Sequence, residues 1–472
     1  MKILLTGATG YIGRRLLIEL VDKGHEVICS VRDKDRFNLP PALLQKVQII
    51  EVDFLERETL VSIPQDIEGA YYLIHSLSSS TNYEQLELTA ANNFREVVGK
   101  TQVTHVVYLG EIINDKSKSK FLLSRKAVEE ELAIGDYHFT AMRAGIIIGS
   151  GSTSFDIIRD LVERTRVMVV SKWFKALCQP IGIQDVMLFL SETLFNPDTF
   201  DQNFDIGGPN IVSFKSLLFG YAEARGLKRF IIIVPLIKPK TSAFWLTLVT
   251  SISYKLATVL IGSMKSASIC RNDKLQQILG ISPRGYTDAL QMTLEEVKEN
   301  KVISSWKDSW VSGRIDQKRI QYLANPPKGC FEDRRETPIL NHQKCIDNLW
   351  RIGGDRGWYF ANALWKIRGF ADEVIGGVGL SRGRKHPVEL SVGDAIDFWR
   401  IIYANKEEGR LLLFAEMKVP GEAWLEFTIK NNRLHQKATF RSSGFWGNLY
   451  WYSLLPIHQV IFKGMIKRIA QN

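Results

Sequence analysis

A glycine-rich segment beside the N-terminus restricts what this chain can fold into more than any other feature. The apolar stretch Lys2 to Leu5 leads into Thr6-Gly7-Ala8-Thr9-Gly10-Tyr11-Ile12-Gly13, and a helical pattern follows from Arg14 to Lys23. Glycines are needed where the backbone turns tightly, where a phosphate approaches main-chain amides, and where the helix packs against the strand. The order of strand, glycine turn and helix therefore predicts a dinucleotide site. Its predicted residues are Thr6, Gly7, Gly10, Tyr11, Ile12 and Gly13.

Short apolar runs recur along the first half of the chain with helical stretches between them. They are Ile3 to Leu5, Val27 to Val31, Val47 to Val52, Tyr71 to Ile74, Val106 to Leu109 and Phe139 to Met142. Strands that alternate with helices in this way form a parallel sheet covered on both faces. The pattern predicts an α/β fold, a Rossmann-like doubly wound parallel sheet.

The end of the second predicted strand bears on the choice of cofactor. An NAD site has an acidic residue there, which binds the ribose 2′-hydroxyl. Here the strand ends in Val31-Arg32, and a guanidinium suits a 2′-phosphate. The sequence therefore favours NADP through Arg32, while the neighbouring Asp33 leaves NAD as the alternative.

Several motifs in this half resemble the extended and atypical short-chain dehydrogenase/reductases, including the NmrA-like group. Besides the glycine turn, they are Val52 to Phe54, Tyr71 to Leu77, Tyr108 to Gly110 and Arg143 to Gly149. The resemblance covers about residues 1–300. It implies that Asp53 and Phe54 lie at the adenine and that His75, Ser76 and Leu77 line the nicotinamide-side ribose. It also implies a substrate region at about 180–300.

The proton-donating pair of that superfamily is missing. Its active members use a Tyr together with a Lys four residues later, whose charge stabilises the phenolate. None of the 14 Tyr in this chain has Lys at that distance, and Phe121 and Arg125 stand where the pair is expected. Arg125 could still hold a ribose or phosphate. Hydride transfer would therefore need another proton donor, such as Tyr83, His75 or a substrate-bound water; alternatively, the domain binds NADP(H) without turnover, as NmrA-like regulators do.

A long apolar stretch, Phe244 to Met264, contains a single charge and could just span a bilayer by its length. Its central Lys255 and its many hydroxyl residues instead favour a buried helix or a helix lying against a membrane surface.

The last third of the chain differs in composition from the rest. Residues 301–472 hold 27 Lys and Arg against 17 Asp and Glu, which accounts for the whole net charge of +10, and they contain nine of the 11 Trp. We expect the first domain to occupy 1–300, a linker to occupy 301–325, and a second domain to occupy 326–472. In the second domain, alternating residues predict an antiparallel meander over Leu411 to Arg441, and a terminal amphipathic helix is predicted after Pro456.

A curved antiparallel sheet with a long terminal helix resembles the helix-grip fold of Bet v 1-like and START-related domains, which enclose an apolar cavity. Three segments also resemble an uncharacterised bacterial domain fused to atypical short-chain dehydrogenases: Ser391 to Arg400, Ala415 to Phe427 and Tyr450 to His458. The resemblance implies an apolar or amphiphilic small-molecule ligand, but it implies no reaction.

The remaining expectations concern partners and location. Five widely spaced Cys indicate a reducing, cytoplasmic compartment, and no spacing of His, Cys or carboxylates predicts a metal site. The basic residues are dispersed rather than grouped in a stripe, so nucleic acid is not an expected partner. Basic charge combined with aromatic residues suits either peripheral contact with an acidic membrane surface or an anionic amphiphile with its tail in the cavity. The oligomeric state is left open.

Overall fold

We analysed a computed structural model of the chain. The structure describes residues 1–34, 37, 39–75, 83–113, 119–234, 239–250, 252, 254–264, 267–298, 304, 330–374, 390 and 395–471. The chain divides into two compact units, one made of residues 1–250 and 254–312 and the other of residues 251–253 and 313–472.

The first unit contains a parallel sheet and several short paired strands. In chain order its strands are β1 (Lys2–Leu5), β2 (Glu26–Val31), β3 (Val47–Glu51), β4 (Gly69–Tyr72), β5 (His105–Glu111), β6 (His138–Ala144), β7 (Ile147–Ile148), β8 (Val167–Val170), β9 (Leu177–Cys178), β10 (Ile181–Gly182), β11 (Gln202–Ile206), β12 (Val212–Ser213) and β13 (Phe230–Ile233). Seven of them form the main sheet in the order β11-β6-β5-β4-β1-β2-β3, and every neighbouring pair is parallel. The predicted doubly wound α/β fold is confirmed.

Helices cover both faces of this sheet. The described helices of the first unit are, in chain order, α1 (Tyr11–Asp22), α2 (Pro41–Leu44), α3 (Tyr83–Val98), α4 (Lys120–Ala133), α5 (Thr153–Arg164), α6 (Ile183–Thr193), α7 (Phe214–Ala224), α8 (Pro239–Val249), α9 (Tyr254–Ser263), α10 (Lys274–Leu279) and α11 (Tyr286–Lys298). Alternate residues of each strand enter opposite cores: Leu5 packs with α1 and α6, whereas Leu4 packs with α3 and α4. Burial on both faces explains why these strands are continuous apolar runs.

Two features of the first unit differ from the prediction. The sheet gains a seventh strand, β11, because residues 202–206 pair with β6 although their local pattern does not stand out. The apolar stretch from Phe244 to Met264 is not one helix, since α8 ends at Val249 and α9 begins at Tyr254. Within the described ranges, no helix is both long enough and apolar enough to cross a membrane.

In the residues that the structure describes, the second unit is an antiparallel sheet with three α-helices. Its strands are β14 (Phe331–Pro338), β15 (Ala395–Ile396), β16 (Trp399–Asn405), β17 (Arg410–Ala415), β18 (Gly421–Lys430) and β19 (Arg433–Ser442), and its helices are α12 (His342–Leu349), α13 (Asn362–Val374) and α14 (Phe445–Gln471). The strand order is β14-β19-β18-β17-β16-β15. Asn431 and Asn432, both with positive φ, form the two-residue turn between β18 and β19, so the predicted meander is confirmed.

The terminal helix was predicted to start after Pro456, and that prediction was wrong. α14 begins at Phe445 and continues through Pro456. The turns before the proline are held on the sheet by Trp451, whose ring stacks on Phe331 at 5.5 Å and on Phe440 at 5.7 Å between ring centroids. Tertiary packing therefore overrides the tendency of proline to end or start a helix. The predicted linker, apart from Ser304, lies outside the described residues.

Candidate functional site

The turn between β1 and α1 leaves no space for a side chain at two of its glycines. Gly7 has a φ of +67°, and a Cβ atom there would lie 2.5 Å from the carbonyl oxygen of Leu73. A Cβ atom on Gly13 would collide with the carbonyl of Gly7. The Gly10 amide closes the turn by donating to the Gly7 carbonyl oxygen at 2.8 Å. Glycine at these positions therefore brings bare backbone to the start of α1.

Thr6 joins the ends of two neighbouring strands beneath this turn. Its amide and its hydroxyl both donate to the carbonyl oxygen of Tyr71, at 3.1 and 2.9 Å, and its Oγ1 accepts from the Leu73 amide at 3.0 Å. Thr6 is fully buried. Its contribution is to fix β1 against β4, so that the glycine turn and the residues after β4 lie at the same edge of the sheet.

The N-terminus of α1 is suited to an anion. Tyr11, Ile12 and Gly13 form its first turn, where helical geometry leaves the N–H groups without acceptors inside the helix. α1 is described along its whole length, and no acidic residue occupies its first turn. The helix dipole adds positive potential at this end. The bare glycine backbone and this helix end fit the pyrophosphate of a dinucleotide.

Tyr11 adds a polar group to the same place. The guanidinium of Arg15 lies over its ring at 5.2 Å from the centroid, and Arg15 Nη2 also donates to Ser150 Oγ at 2.7 Å. The Tyr11 hydroxyl is buried and has no hydrogen-bond partner among the described residues, and burial raises its pKa well above the usual value. A phenol that keeps its proton and lacks an acceptor is a candidate donor to a bound dinucleotide.

At the end of the second strand, Arg32 directly follows β2 and is exposed, and Asp33 is half-buried. A second guanidinium belongs to this region. Arg14 lies over the ring of Phe37, with its Cζ atom 5.7 Å from the centroid, beside the loop that follows Arg32. Sequence reasoning missed Arg14, because the helical pattern alone did not indicate that this side chain faces the loop after β2.

Asp53 and Phe54 follow β3 at the same edge of the sheet. Asp53 stabilises its own turn: its Oδ1 accepts from the Leu55 amide at 3.0 Å, and its amide donates to Thr59 Oγ1 at 2.9 Å. The Phe54 side chain is buried against Phe94, with ring centroids 5.6 Å apart. The Phe54 ring therefore belongs to the core, and the contact of this residue with an adenine stays a prediction.

A buried polar cluster lies where β4 and β5 end and α3 and α4 begin. Arg125 and Glu87 are each 2% exposed and form an ion pair, with Nη1 3.0 Å from Oε1. The same Nη1 lies 2.7 Å from Nδ1 of His75, and Ser124 Oγ donates to the second Glu87 oxygen at 2.8 Å. Sequence reasoning identified His75 and Arg125 but missed Glu87, which is 38 residues from its partner.

The neighbours of His75 determine its protonation. A guanidinium can only donate, so Nδ1 accepts and the ring proton is on Nε2. Although His75 keeps an exposed edge, desolvation and the Arg125 charge hold its pKa well below the usual value. His75 is therefore neutral at neutral pH and can donate a hydrogen bond from Nε2, but it cannot supply the proton of an imidazolium.

Two further positions bear on the search for a proton donor, Tyr83 and Phe121. Tyr83, the first residue of α3, is half-buried, and burial raises the pKa of its phenol. Phe121, at the position of the missing Tyr, is 2% exposed and lies under Arg125, 4.9 Å from Cζ to the ring centroid. Phe121 thus supports Arg125 and carries no proton.

Glu111, the last residue of β5, is a second titratable group that sequence reasoning did not select as a site residue. Burial raises the pKa of its carboxyl to about 7, because desolvation and the Glu87 charge outweigh the attraction of Arg125. A carboxyl with this pKa is half protonated near neutral pH and can give up a proton.

The remaining predicted residues, Ser76 and Leu77, lie outside the described residues. Within the described ranges, no group of three or more His, Cys, Asp and Glu side chains is arranged to hold a metal ion. The structure thus brings the glycine turn, the end of β4, the end of β5 and the start of α4 to one edge of the sheet.

Two known protein families match separate parts of the chain. Residues 7–148 match a family described as "NAD(P)H-binding", and residues 327–465 match one described as "Protein of unknown function (DUF2867)". The second match agrees with the position of the basic, Trp-rich region and names no fold or activity. The resemblance of this region to a helix-grip domain therefore stays a prediction.

Curated relatives match the first half. The divinyl chlorophyllide a 8-vinyl-reductase of Zea mays is 25% identical over 222 residues, which are 44% of this chain and 55% of that protein. The NADH dehydrogenase (ubiquinone) 1 alpha subcomplex subunit 9 of Rattus norvegicus is 24% identical over 213 residues, 43% of this chain and 56% of that protein. The chain thus spans little more than half of each relative.

A solved structure of triphenylmethane reductase from Citrobacter sp., complexed with NADP(H), is similar in fold. Its TM-score is 0.50 at 17% identity, and the match covers 62% of this chain and all of that one. Together with the parallel sheet and the glycine cradle, the family match over residues 7–148 identifies the cofactor as NAD(P). The N-terminal part of the chain is thus an NAD(P)-binding domain with a Rossmann-like fold.

Proposed function

We propose that the protein is an NADP(H)-dependent reductase of an apolar carbonyl, enone or quinone-like compound, and that Glu111 replaces the missing Tyr as the proton donor. The observation that carries this proposal is the buried ion pair of Glu87 and Arg125 together with the exposed His75, beside Glu111 and at the sheet edge where the glycine turn lies. The chemistry of these groups suits proton transfer beside a dinucleotide.

The chain's own residues would move the proton. When bound, the reduced dinucleotide supplies a hydride to the electrophilic carbon of the substrate. Glu111 gives its proton to the oxygen, or to the conjugated carbon, that gains the electron pair, and its carboxylate is reprotonated from water. Arg125 then stabilises the transient carboxylate, which lies within its electrostatic reach. The hydride and the proton together complete the two-electron reduction of the substrate.

His75 would orient the substrate. With Nδ1 committed to Arg125, its Nε2–H is a neutral donor that can polarise a carbonyl without giving up a proton. Tyr108 packs beside this imidazole from within the core: it is fully buried, and its ring lies 6.5 Å from that of His75. The name of the Zea mays relative, a vinyl-reductase, supports a conjugated substrate.

Turnover by variants of Glu111 tests the proposal. We expect wild-type protein to oxidise NADPH in the presence of at least one member of a panel of quinones, enones and aldehydes. Glu111→Gln should lower kcat by about two orders of magnitude or more, because the amide cannot donate a proton in the same way. NADPH affinity should remain unchanged. Glu130→Gln, a matched change at an exposed residue of α4, is the control.

Two results would oppose this proposal. If Glu111→Gln retains wild-type kcat on an active substrate, Glu111 is not the donor and Tyr83 becomes the next residue to replace. If wild-type protein binds NADPH but reduces no compound of the panel, the reductase proposal fails and a function without turnover is favoured.

A second candidate function is a non-catalytic NADP(H)-sensing regulator that acts at a membrane surface. α14 carries an exposed apolar stripe, in which Phe445 is 74%, Trp446 71% and Tyr452 61% exposed, continued by Leu449 and Val460. Exposed aromatic residues on a helix favour the interfacial region of a bilayer. Lys463 and Lys467, both exposed on the same helix, suit anionic headgroups.

Vesicle cosedimentation tests this candidate. We expect the protein to sediment with phosphatidylcholine vesicles containing phosphatidylserine, less with phosphatidylcholine alone, and to a different extent when NADPH is present. The double change Trp446→Ser and Tyr452→Ser should abolish the effect. Val61→Ser, an exposed apolar position of the first unit, should not. Equal sedimentation of all variants would contradict the candidate.

A further inference from the structure

The second unit contains a buried glutamine, Gln436, whose side-chain amide makes no hydrogen bond within the described part of the chain. Gln436 lies on β19 and is 1% exposed, and neither its Oε1 nor its Nε2 has a hydrogen-bond partner among the described residues. A buried amide offers one acceptor and two donor positions, and leaving them unmade is costly. Buried polar groups are normally paired, so this side chain calls for an explanation.

Strand register places Gln436 on the face of the sheet covered by α14. Gln436, Ala438 and Phe440 share one face of β19, and Phe440 stacks on Trp451 of α14. Across the pair with β14, Gln436 is opposite Arg335 and Ala438 is opposite Asp333. The amide therefore points into the space between the sheet and the helix.

Other polar groups lie on the same side. Arg335 Nη2 donates to Asp333 Oδ2 at 2.8 Å, so these two form an ion pair beside Gln436. On α14, His458 stacks on Phe462 at 5.2 Å between ring centroids, and its Nδ1 is buried without a partner among the described residues. We call Asp333, Arg335, Gln436 and His458 the helix-facing polar patch.

The patch has no net charge to offer a ligand. Asp333 and Arg335 neutralise each other. Burial and the Arg368 charge lower the pKa of His458, against the opposing pull of Asp333, so its imidazole is neutral near neutral pH. Within the patch, the buried atoms without a hydrogen-bond partner among the described residues are both polar atoms of the Gln436 amide, Nδ1 of His458 and Nε of Arg335. The Arg335 Nε lies 2.8 Å from Oδ1 of Asp333 in the ion pair, so the Gln436 amide and the His458 nitrogen are the groups left for a ligand. They complement a neutral head that both donates and accepts a hydrogen bond.

The surroundings of the amide are apolar. Phe427 is directly opposite Gln436 on β18, and Leu434 and Ala438 flank it on its own strand; all three are buried in the core of this unit. Any molecule that reaches the amide must therefore have an apolar body. Mainly apolar walls with a few placed polar groups are the usual composition of a small-molecule site.

We propose that the second unit binds a small, mostly apolar molecule with a neutral head, such as a primary amide or an alcohol, through Gln436 and His458 of the helix-facing polar patch. The site is separate from the NAD(P) domain, and the proposal does not depend on the reductase activity. It specifies where the expected apolar or amphiphilic ligand of this unit would be held.

Titration calorimetry on the full chain tests the proposal with three probes that share one tail: octanamide, methyl octanoate and octanoate. We expect one octanamide per chain, bound about tenfold more tightly than either other probe, since only octanamide is a neutral donor and acceptor. Gln436→Leu should weaken the binding of octanamide by about tenfold and leave the affinity for methyl octanoate nearly unchanged. Gln343→Leu, the same change at an exposed residue of α12, should bind like wild type.

The outcomes separate a ligand site from an isolated core amide. If wild-type protein binds none of the probes, or if Gln436→Leu binds octanamide as wild type does, the proposal is overturned. Tighter binding of octanoate would overturn the neutral head. Should Gln436→Leu fail to fold, His458→Leu provides the second test: it must weaken octanamide selectively for the proposal to stand. NADPH turnover by Gln436→Leu should equal that of wild type, which keeps this test distinct from that of Glu111.

Discussion

At the scale of single residues, Glu111 depends on its surroundings for its chemistry. The same carboxyl on an exposed strand end would be fully ionised at neutral pH. Burial and Glu87 raise its pKa from the ordinary 4.5 to about 7. The folded state therefore holds this proton more tightly than the unfolded chain does, which links the residue to stability as well as to proton transfer.

The sign of that link gives a prediction. The pKa of Glu111 is higher in the folded protein than in the unfolded chain. Its ionisation therefore does not affect the free energy of unfolding below about pH 4.5, and it lowers that free energy progressively as the pH rises towards 7. Relative to Glu111→Gln, the wild type should lose on the order of 3 kcal/mol of unfolding free energy between about pH 4.5 and pH 8. Urea unfolding of both proteins at several pH values measures this difference. A constant difference across the range would show that Glu111 has an ordinary pKa.

Arg32 gives a second prediction at this scale, on cofactor choice. Arg32→Glu should weaken the binding of NADPH by roughly a hundredfold, since a charge-assisted contact to the 2′-phosphate is replaced by repulsion. NADH, which lacks that phosphate, should change by less than about threefold. Fluorescence titration with both dinucleotides measures the two affinities. Lys34→Glu, a change at a nearby exposed residue, is the control. Equal losses of affinity for NADPH and NADH would contradict the assignment of Arg32 to the 2′-phosphate.

At the scale of elements, α14 has one side buried in the core and exposed apolar residues elsewhere on its surface. Its inner side supplies Trp451, Phe462 and Met465 to the core, while Phe445 and Trp446 are exposed. Pro456 interrupts the backbone hydrogen bonds in its interior, where a proline lacks the N–H that would reach the carbonyl of Tyr452. Packing on the sheet keeps the helix continuous in spite of this loss.

Replacing that proline should therefore stabilise the protein. We expect Pro456→Ala to raise the free energy of unfolding by about 1 to 3 kcal/mol, because alanine restores the missing N–H and removes the steric clash. Urea unfolding of the full chain provides the measurement, with Gln459→Ala as a control at an exposed position of the same helix. A loss of stability in Pro456→Ala would mean that the packing of α14 requires the shape imposed by proline.

At the scale of the whole molecule, each unit has its own hydrophobic interior. The cores that contain Leu5 and Leu4 lie on the two faces of the parallel sheet, and a separate core with Phe427 and Met465 belongs to the second unit. The glycine cradle lies in the first unit. A ligand that binds only one folded unit stabilises that unit.

Calorimetry of the full chain should accordingly resolve two unfolding transitions. NADPH at about a hundred times its dissociation constant should stabilise the first unit by about 2.7 kcal/mol and leave the other transition in place. Octanamide should shift only the transition that NADPH leaves unchanged. A single transition that moves with either ligand would contradict independent unfolding of the two units.

The sequence alone determined the features that depend on neighbours along the chain. The glycine turn lies between β1 and α1 because bare backbone is needed there, and the Asn431-Asn432 turn follows from residues that tolerate positive φ. The absence of a Tyr with Lys four residues later is likewise readable without a structure. These signals are local, so the order of strands, turns and helices was largely predictable.

Only the tertiary structure decided which distant groups meet and what protonation they adopt. Glu87, on α3, reaches Arg125 on α4, and His75 joins them from the end of β4. The raised pKa of Glu111 and the unpartnered amide of Gln436 result from desolvation by residues far apart in the chain. No periodicity encodes these effects, because desolvation and charge coupling depend on distances in space, which packing sets once the sheets and helices have assembled.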